Sequence, residues 1–320
     1  MKALIFGASG FVGRHLTAHL VESGIDVFGT YHRNGAQDFP IRYFQCDMRD
    51  ENRVHSILTE VKPDYVYLLA GPAFVLDSFN NPLRTYAEIA WGTLHVLEAI
   101  RRLQLPARLL YVSSSEVYGQ SVRPDQLLTE NTIPQPMNPY AAAKAWGEIA
   151  CCQYAVQHDL PVMIARPFNH TGPGQNERFV CSNFAKQLIW MKQGRIPHKI
   201  FVGNLNVERD FLDVRDVVRA YHLLMTRGKS GQTYNVCSGK PIQIGDILRL
   251  MIQMSGLEEV KVCEESKRVR MNDRMRIAGS FDRLNQETDW RPRFSMDETL
   301  RDLLAYWKQN ISVPGGRSDV

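Results

Sequence analysis

Residues 2–13 read Lys2-Ala3-Leu4-Ile5-Phe6-Gly7-Ala8-Ser9-Gly10-Phe11-Val12-Gly13. A short apolar run ends in glycines at positions 7, 10 and 13. Val12, Leu16, Leu20 and Val21 then recur at helical spacing until Gly24. The pattern predicts a buried strand, a tight glycine turn and a helix over 12–23. That order suits a pyrophosphate, because glycines admit close backbone approach and a helix N-terminus stabilises negative charge. Glycines also make ordinary turns; the strand before these and the helix after them supply the context a dinucleotide fingerprint requires. Gly7, Gly10, Phe11, Val12 and Gly13 are therefore candidate cofactor contacts.

Working outward, strand signals fall at 25–30, 43–46, 65–69, 108–113 and 161–165, with helix signals at 50–61, 83–103 and 140–158. Strands alternating with helices predict an α/β fold, a Rossmann-type doubly wound parallel sheet with right-handed crossovers. Beyond Arg166 the pattern loosens. Residues 167–177 are rich in Gly and Pro, helices are expected at 178–193, 214–225 and 242–255, and a strand at 233–236. Residues 256–280 read as charged and irregular, and the tail from Ser312 as a flexible end. The expected division is a dinucleotide-binding domain over 1–165, joined by about 212–238, and a smaller mixed α/β substrate domain over 166–320.

The 320 residues carry 38 basic and 34 acidic side chains, a net charge of +4. That balance argues against a protein whose main task is gripping a nucleic-acid backbone. A hydrophobic fraction of 44% excludes a disordered chain. Six cysteines at 46, 151, 152, 181, 237 and 263 show no metal-ligand spacing, so no metal site is expected. Cys151 and Cys152 read as small core residues, and the usage fits a reducing compartment. No stretch approaches the ~18 apolar residues of a membrane span. A cytoplasmic protein without membrane or nucleic-acid partners is the expectation.

The second strand ends in Gly29-Thr30-Tyr31-His32-Arg33. A carboxylate for the ribose 2′-hydroxyl is missing there, and Arg33 offers a guanidinium suited to a 2′-phosphate. Thr30 and Arg33 thus point to NADP(H). Asp47, followed by Met48, is placed to accept from an adenine amino group, and Leu69-Ala70-Gly71 ends the fourth strand where backbone passes the cofactor.

Tyr140 and Lys144 lie four apart on one helix face. An ammonium there is expected to lower the tyrosine pKa, readying it to give or take a proton at a carbonyl or hydroxyl. Ser113-Ser114-Ser115-Glu116-Val117-Tyr118-Gly119 follows the fifth strand, where Ser114 can hydrogen-bond a reacting oxygen.

Glycine turn, serine and Tyr-x-x-x-Lys, in that order, resemble the extended short-chain dehydrogenase/reductases in their nucleotide-sugar-modifying branch. Four stretches are similar to the GDP-mannose group: Arg166 to Gln175, Phe179-Val180, Arg209-Asp210-Phe211-Leu212-Asp213-Val214, and Tyr234 to Gly239. The resemblance implies NADPH-dependent reduction of the C4 ketone of GDP-4-dehydro-6-deoxy-D-mannose to GDP-D-rhamnose. It also implies a triad of Ser114, Tyr140 and Lys144. Ser115, Asn169, Val180, Arg209, Arg270 and Asp273 would hold the GDP-sugar, and His170 would lie near the nicotinamide. A homodimer through the helices at 84–103 and 140–158 is implied as well. Three positions depart from the pattern. Ile89 precedes Gly92-Thr93 where the group often has Asn, Asn183 stands where its dehydratases have Lys, and Arg270-Met271-Asn272-Asp273 replaces their Arg-Pro-x-Glu. Glu116 occupies the position of the base that a 4,6-dehydratase uses at C5, which keeps a dehydratase or bifunctional enzyme as the alternative. A UDP-sugar epimerase or a non-catalytic dinucleotide-binding regulator fits less well.

Overall fold

The computed structural model describes residues 1–32, 39–123, 125–265 and 274–310. Its main sheet has seven parallel strands. In chain order they are β1 (Lys2–Phe6), β2 (Asp26–Tyr31), β3 (Arg42–Gln45), β4 (Tyr65–Leu68), β5 (Arg108–Val112), β6 (Val162–Pro167) and, after three intervening strands, β10 (Thr233–Val236). Their spatial order is β10-β6-β5-β4-β1-β2-β3, so the winding reverses between β1 and β4. A ligand crevice opens at such a switch point, at the carboxyl ends of the strands. The central strands β4 and β6 are buried along their whole length, which is why they read as continuous apolar runs.

Helices cover both faces. On one lie α1 (Phe11–Glu22) and α8 (Val214–Arg227), packing Leu16, Leu20, Tyr221 and Leu224 onto the sheet. On the other lie α2 (Glu51–Val61), α5 (Gly92–Arg102) and α6 (Pro139–His158), which bury Ile57, Leu97, Ile100 and Cys151. The short α3 (Val75–Asn80) and α4 (Pro82–Tyr86) follow β4. The single helix expected over 83–103 is a rod interrupted by a π-helical turn at Ala87–Trp91, which joins α4 to α5. The π turn directs Ile89 inward, to a small cluster with Tyr140, Ala143 and Val75.

The smaller C-terminal region has a mixed sheet. Strand β9 (Glu208–Asp213) is flanked by β7 (Asn169–Thr171) and β13 (Arg276–Ile277), both parallel to it, and by antiparallel β11 (Pro241–Gln243). A parallel pair, β8 (Lys199–Val202) and β12 (Lys261–Glu264), lies beside it. Helices α7 (Val180–Lys192), α9 (Ile244–Ser255) and α11 (Met296–Asn310) share a core of Phe184, Leu188, Ile247, Met251, Leu300 and Leu303. Helix α10 (Asp282–Thr288) packs on α8. Two strands thus fall in the segment read as irregular, because each finds its partner far away in sequence.

The two regions are tied at one corner by a buried carboxylate. Asp210 accepts from the Ser238 amide (2.7 Å) and hydroxyl (2.7 Å), and from the amides of Gly239 (2.9 Å) and Gly279 (3.2 Å). Burial pushes its pKa up, and these donors pull it back. Elsewhere between the two regions, Arg178 beside α7 forks onto Asp77 of α3 and lies 3.9 Å over the Phe74 ring. All six cysteines are free, and Cys152, read as a core residue, is exposed while its neighbour Cys151 is buried. No helix among the described residues is long and apolar enough to cross a membrane.

Candidate active site

The glycine turn sits at the switch point. Gly7 has φ +93°, and its amide donates to Thr30 Oγ1 at 3.1 Å, linking the ends of β1 and β2. A Cβ on Gly7 would stand 3.0 Å from the Ala70 nitrogen, so Leu69-Ala70-Gly71 closes over the turn from β4. A Cβ on Gly13 would lie 2.2 Å from the Gly7 oxygen. Only glycine permits that approach. Gly10 is the N-cap of α1, with no side-chain cap and no acidic residue in the first turn. The helix N-terminus therefore presents amides and a positive dipole end to solvent, and the residues fit a dinucleotide pyrophosphate. The Phe11 ring stacks on His170 at 6.2 Å, and burial lowers the histidine pKa.

At the adenosine end, Asp47 is engaged by its own neighbours. Arg49 forks onto it (3.0 and 2.6 Å), and His32 Nε2 lies 3.3 Å away. Its hydrogen bonds from Arg49 drive the Asp47 pKa far below the usual carboxylate range. The carboxylate expected to meet an adenine amino group is thus held by Arg49, a residue the sequence reading passed over. Met48 packs against Gly92. Arg33, Arg270 and Asp273 lie outside the described residues, as does the tail from Ser312.

The Ser-Tyr-Lys group converges from β5 and α6. Asn138 caps α6, accepting from the Ala141 amide at 2.8 Å, and Pro139 opens its first turn. The phenol of Tyr140, 9% exposed, lies within the influence of the Ser114 hydroxyl, which favours its ionised form. Lys144 is buried and donates to the Val112 carbonyl at 2.7 Å, at the end of β5. Tyr111 fixes this register from beneath, its hydroxyl donating to the Lys144 carbonyl at 3.1 Å. A Cβ on Gly147 would collide with that hydroxyl at 2.2 Å.

One expectation is corrected here. Burial raises the Tyr140 pKa to about 12, with Ser114 pulling down and Glu116 pushing up. The Lys144 ammonium, 6.0 Å from the Tyr140 ring centroid and bonded to Val112, does not offset this. Lys144 itself falls to about 8, because burial disfavours its charge.

Glu116 lies in the short 3₁₀ turn Ser115–Ser121 that Ser114 caps. Its Oε2 accepts from Asn138 Nδ2 at 3.3 Å, so the residue that starts α6 also places the carboxylate near Tyr140. A cap-type Asn before Pro139 was a readable signal for this role. Behind the triad, Glu148 and Arg166 form a buried ion pair (2.6 Å) that pattern reading missed.

Asn169 is exposed on β7, and Val180 opens α7. One turn on, Asn183, Lys186 and Trp190 line a cavity of about 560 Å³ together with Glu177, Lys199 and Phe201. Lys186 lies 4.2 Å over the Trp190 ring and pairs with Glu177. Buried Arg209 sends Nη1 to the carbonyls of Glu208 and Arg274, both at 2.7 Å. Among the described residues no three His, Cys, Asp or Glu side chains gather as metal ligands do.

The parallel sheet with its glycine turn and Ser-Tyr-Lys group is that of an extended short-chain dehydrogenase/reductase, and the chain belongs to the GDP-mannose 4,6 dehydratase family, matching it over residues 4–303. It is 36% identical over 311 residues to the GDP-6-deoxy-D-mannose reductase of Pseudomonas aeruginosa, covering 97% of this chain and 98% of that one. It is 29% identical to the GDP-6-deoxy-D-talose 4-dehydrogenase of Aggregatibacter actinomycetemcomitans, covering 89% and 90% of the two chains. The solved structure of RMD from Pseudomonas aeruginosa complexed with NADPH superposes with a TM-score of 0.85 at 34% identity, over 96% of this chain and 99% of that one.

Proposed function

We propose that the protein is an NADPH-dependent oxidoreductase that reduces the C4 ketone of GDP-4-dehydro-6-deoxy-D-mannose to GDP-D-rhamnose. The observation that carries the reading is the buried Tyr140 phenol, one turn from Lys144 on α6 and at the strand end that bears Ser114, in a chain similar along its length to a GDP-6-deoxy-D-mannose reductase. Reduction needs a proton donor at the C4 oxygen, and a phenol holding its proton meets that need.

When bound, NADPH supplies the hydride equivalent to C4. Gly7, Gly10, Phe11, Val12 and Gly13 would hold its pyrophosphate, Thr30 and Arg33 the adenosine phosphate side, and Leu69-Ala70-Gly71 its path along the sheet edge. Met48 and Asp47, the latter held by Arg49, would border the adenine. His170 would close the nicotinamide end through Phe11. Tyr140 donates a proton to the C4 oxygen as negative charge develops there. Ser114 would hydrogen-bond the same oxygen, and Lys144, bonded to the Val112 carbonyl, holds α6 against the end of β5. The cavity under α7 would take the nucleobase, with Val180 at its entrance and the Lys186–Trp190 pair within it. Asn169, Ser115, Arg209, Arg270 and Asp273 would hold the diphosphate and sugar. That remote binding positions C4 and so lowers the barrier at the reacting centre.

We place the cofactor domain at 1–165 joined by about 212–238, the substrate domain at 166–320, and the protein in the cytoplasm, where free cysteines persist. Trp91, Trp146, Ile149 and Val156 are exposed on the π turn and α6, the last two at 70% and 83%. A second copy of the chain covering this apolar face would give a homodimer.

The test is NADPH oxidation by the purified protein. Oxidation with GDP-4-keto-6-deoxymannose, yielding GDP-rhamnose, and none with GDP-mannose is expected. No oxidation with the keto sugar refutes the reading. A second reading, a 4,6-dehydratase, is favoured by one observation: Asn138 holds the Glu116 carboxylate close to Tyr140. GDP-mannose converted to the keto sugar without net loss of NADPH would establish it.

A further inference from the structure

We propose that Glu148 is a positioning residue for the reaction: its carboxylate locks the helix bearing Tyr140 and Lys144 to the ends of β5 and β6. The inference rests on the reductase reading for its kinetic consequence and on geometry alone for the rest.

Tyr140, Lys144 and Glu148 follow one another at four-residue intervals and line one buried face of α6. Both Glu148 oxygens are used. Oε1 accepts from the Ser113 hydroxyl and from Arg166 Nε (2.9 Å), and Oε2 accepts from Arg166 Nη2 (2.6 Å). Ser113 directly precedes Ser114, and Arg166 lies in β6. One carboxylate thereby spans the helix that carries the phenol and the loop that carries its hydroxyl partner.

The chain continues past Arg166. Its Nη1 donates to the Tyr118 hydroxyl (3.1 Å), its guanidinium lies 4.9 Å over the Tyr118 ring, and Tyr118 donates to Asn235 Oδ1 at 2.6 Å. Asn235 Nδ2 donates to the Leu128 carbonyl at 2.9 Å. The Ser114-Glu116 turn and β10 are thus joined to the same network. A buried ion pair contributes little net stability over apolar side chains of the same volume. Its distinguishing property is direction: hydrogen bonds fix register where apolar packing tolerates slip. A slip of about 1 Å between reacting groups costs about 100-fold in rate.

Four groups face Lys144: Tyr140, Glu148 and Cys151 of α6, and the Tyr111 ring of β5 at 5.3 Å. Burial lowers the Lys144 pKa, and Cys151 and then Glu148, one turn along the same face of α6, act to raise it.

A double variant and single substitutions of Glu148 test the proposal. Glu148→Met/Arg166→Met removes the pair together and leaves no uncompensated charge. It should fold, bind NADPH normally, and lose about 100-fold in kcat with KM for the keto sugar within threefold. A folded double variant with kcat within threefold of wild type overturns the positioning role. Glu148→Gln keeps shape and removes charge. Titration of ¹³C-labelled Lys144 followed by NMR should show its midpoint displaced to lower pH, with Glu148→Asp restoring it. This measurement needs no turnover, so it separates failure of this inference from failure of the reductase reading. An unmoved midpoint overturns the electrostatic role. If the double variant fails to fold, a kcat for Glu148→Ala, which removes every hydrogen bond the carboxylate accepts, within threefold of wild type overturns positioning.

Discussion

Replacing Lys144 by Met should stabilise the cofactor-free protein while abolishing turnover. Lys144 is 5% exposed, and burial takes its pKa from 10.5 to about 8. A tenfold change in proton affinity corresponds to about 1.4 kcal/mol. Holding the ammonium charged in the fold therefore costs about 3 kcal/mol at pH 7 relative to the unfolded chain. Methionine fills similar volume with no charge. Its substitution forfeits the hydrogen bond to Val112, worth about 1 kcal/mol. The expected gain is about 2 kcal/mol at pH 7. Between pH 8 and 10.5 the unfolded lysine binds more protons than the folded one, so wild-type stability rises with pH across that window. The advantage of the variant should thus shrink by about 1 kcal/mol from pH 7 to pH 9. Urea unfolding of both apoproteins at a series of pH values reads this directly. A variant less stable than wild type at pH 7, or an advantage independent of pH, refutes the reasoning.

Three further outcomes follow from the geometry. Tyr140→Phe should lower kcat by about 10²- to 10⁴-fold and leave the NADPH dissociation constant within about threefold, by stopped-flow kinetics and fluorescence titration. Gly13→Ala drives a methyl group into the Gly7 oxygen; calorimetry should show NADPH affinity reduced at least about tenfold, because the turn must open to relieve the clash. Ile149→Asp places a charge on the exposed apolar face of α6, and light scattering should show a monomer with its cofactor affinity intact.

The first half of the molecule was legible because each strand there is a short apolar run, punctuated by glycine or proline and followed by a periodic helix. Residues 233–236 were read as a strand with the bounds the fold gives them. The second half carries weaker local signals. β12 is mostly exposed and pairs with β8, some sixty residues earlier, and β13 spans two residues. Helix α11, with Leu300, Leu303 and Leu304 on its buried face, carried a helical period that went unread. At the site, sequence spacing brought Tyr140 and Lys144 to one face and Ser114 to the same strand end. It could not show that the ammonium would bond the Val112 carbonyl, or that burial would outweigh it at the phenol. Spacing is equally silent on pairs such as Glu148 and Arg166, whose meeting depends on how α6 crosses β6.

The Asp210 clamp has a mechanical consequence. One corner between the two regions is pinned by four donors on a carboxylate with no solvent access. The exposed Asp77–Arg178 pair, of a type worth about 0–1 kcal/mol, ties α3 to the segment before α7 more weakly. The two ties therefore answer differently to salt: dissolved ions screen the exposed pair and scarcely reach the buried carboxylate, so rising ionic strength weakens the link at Asp77 and leaves the one at Asp210 in place.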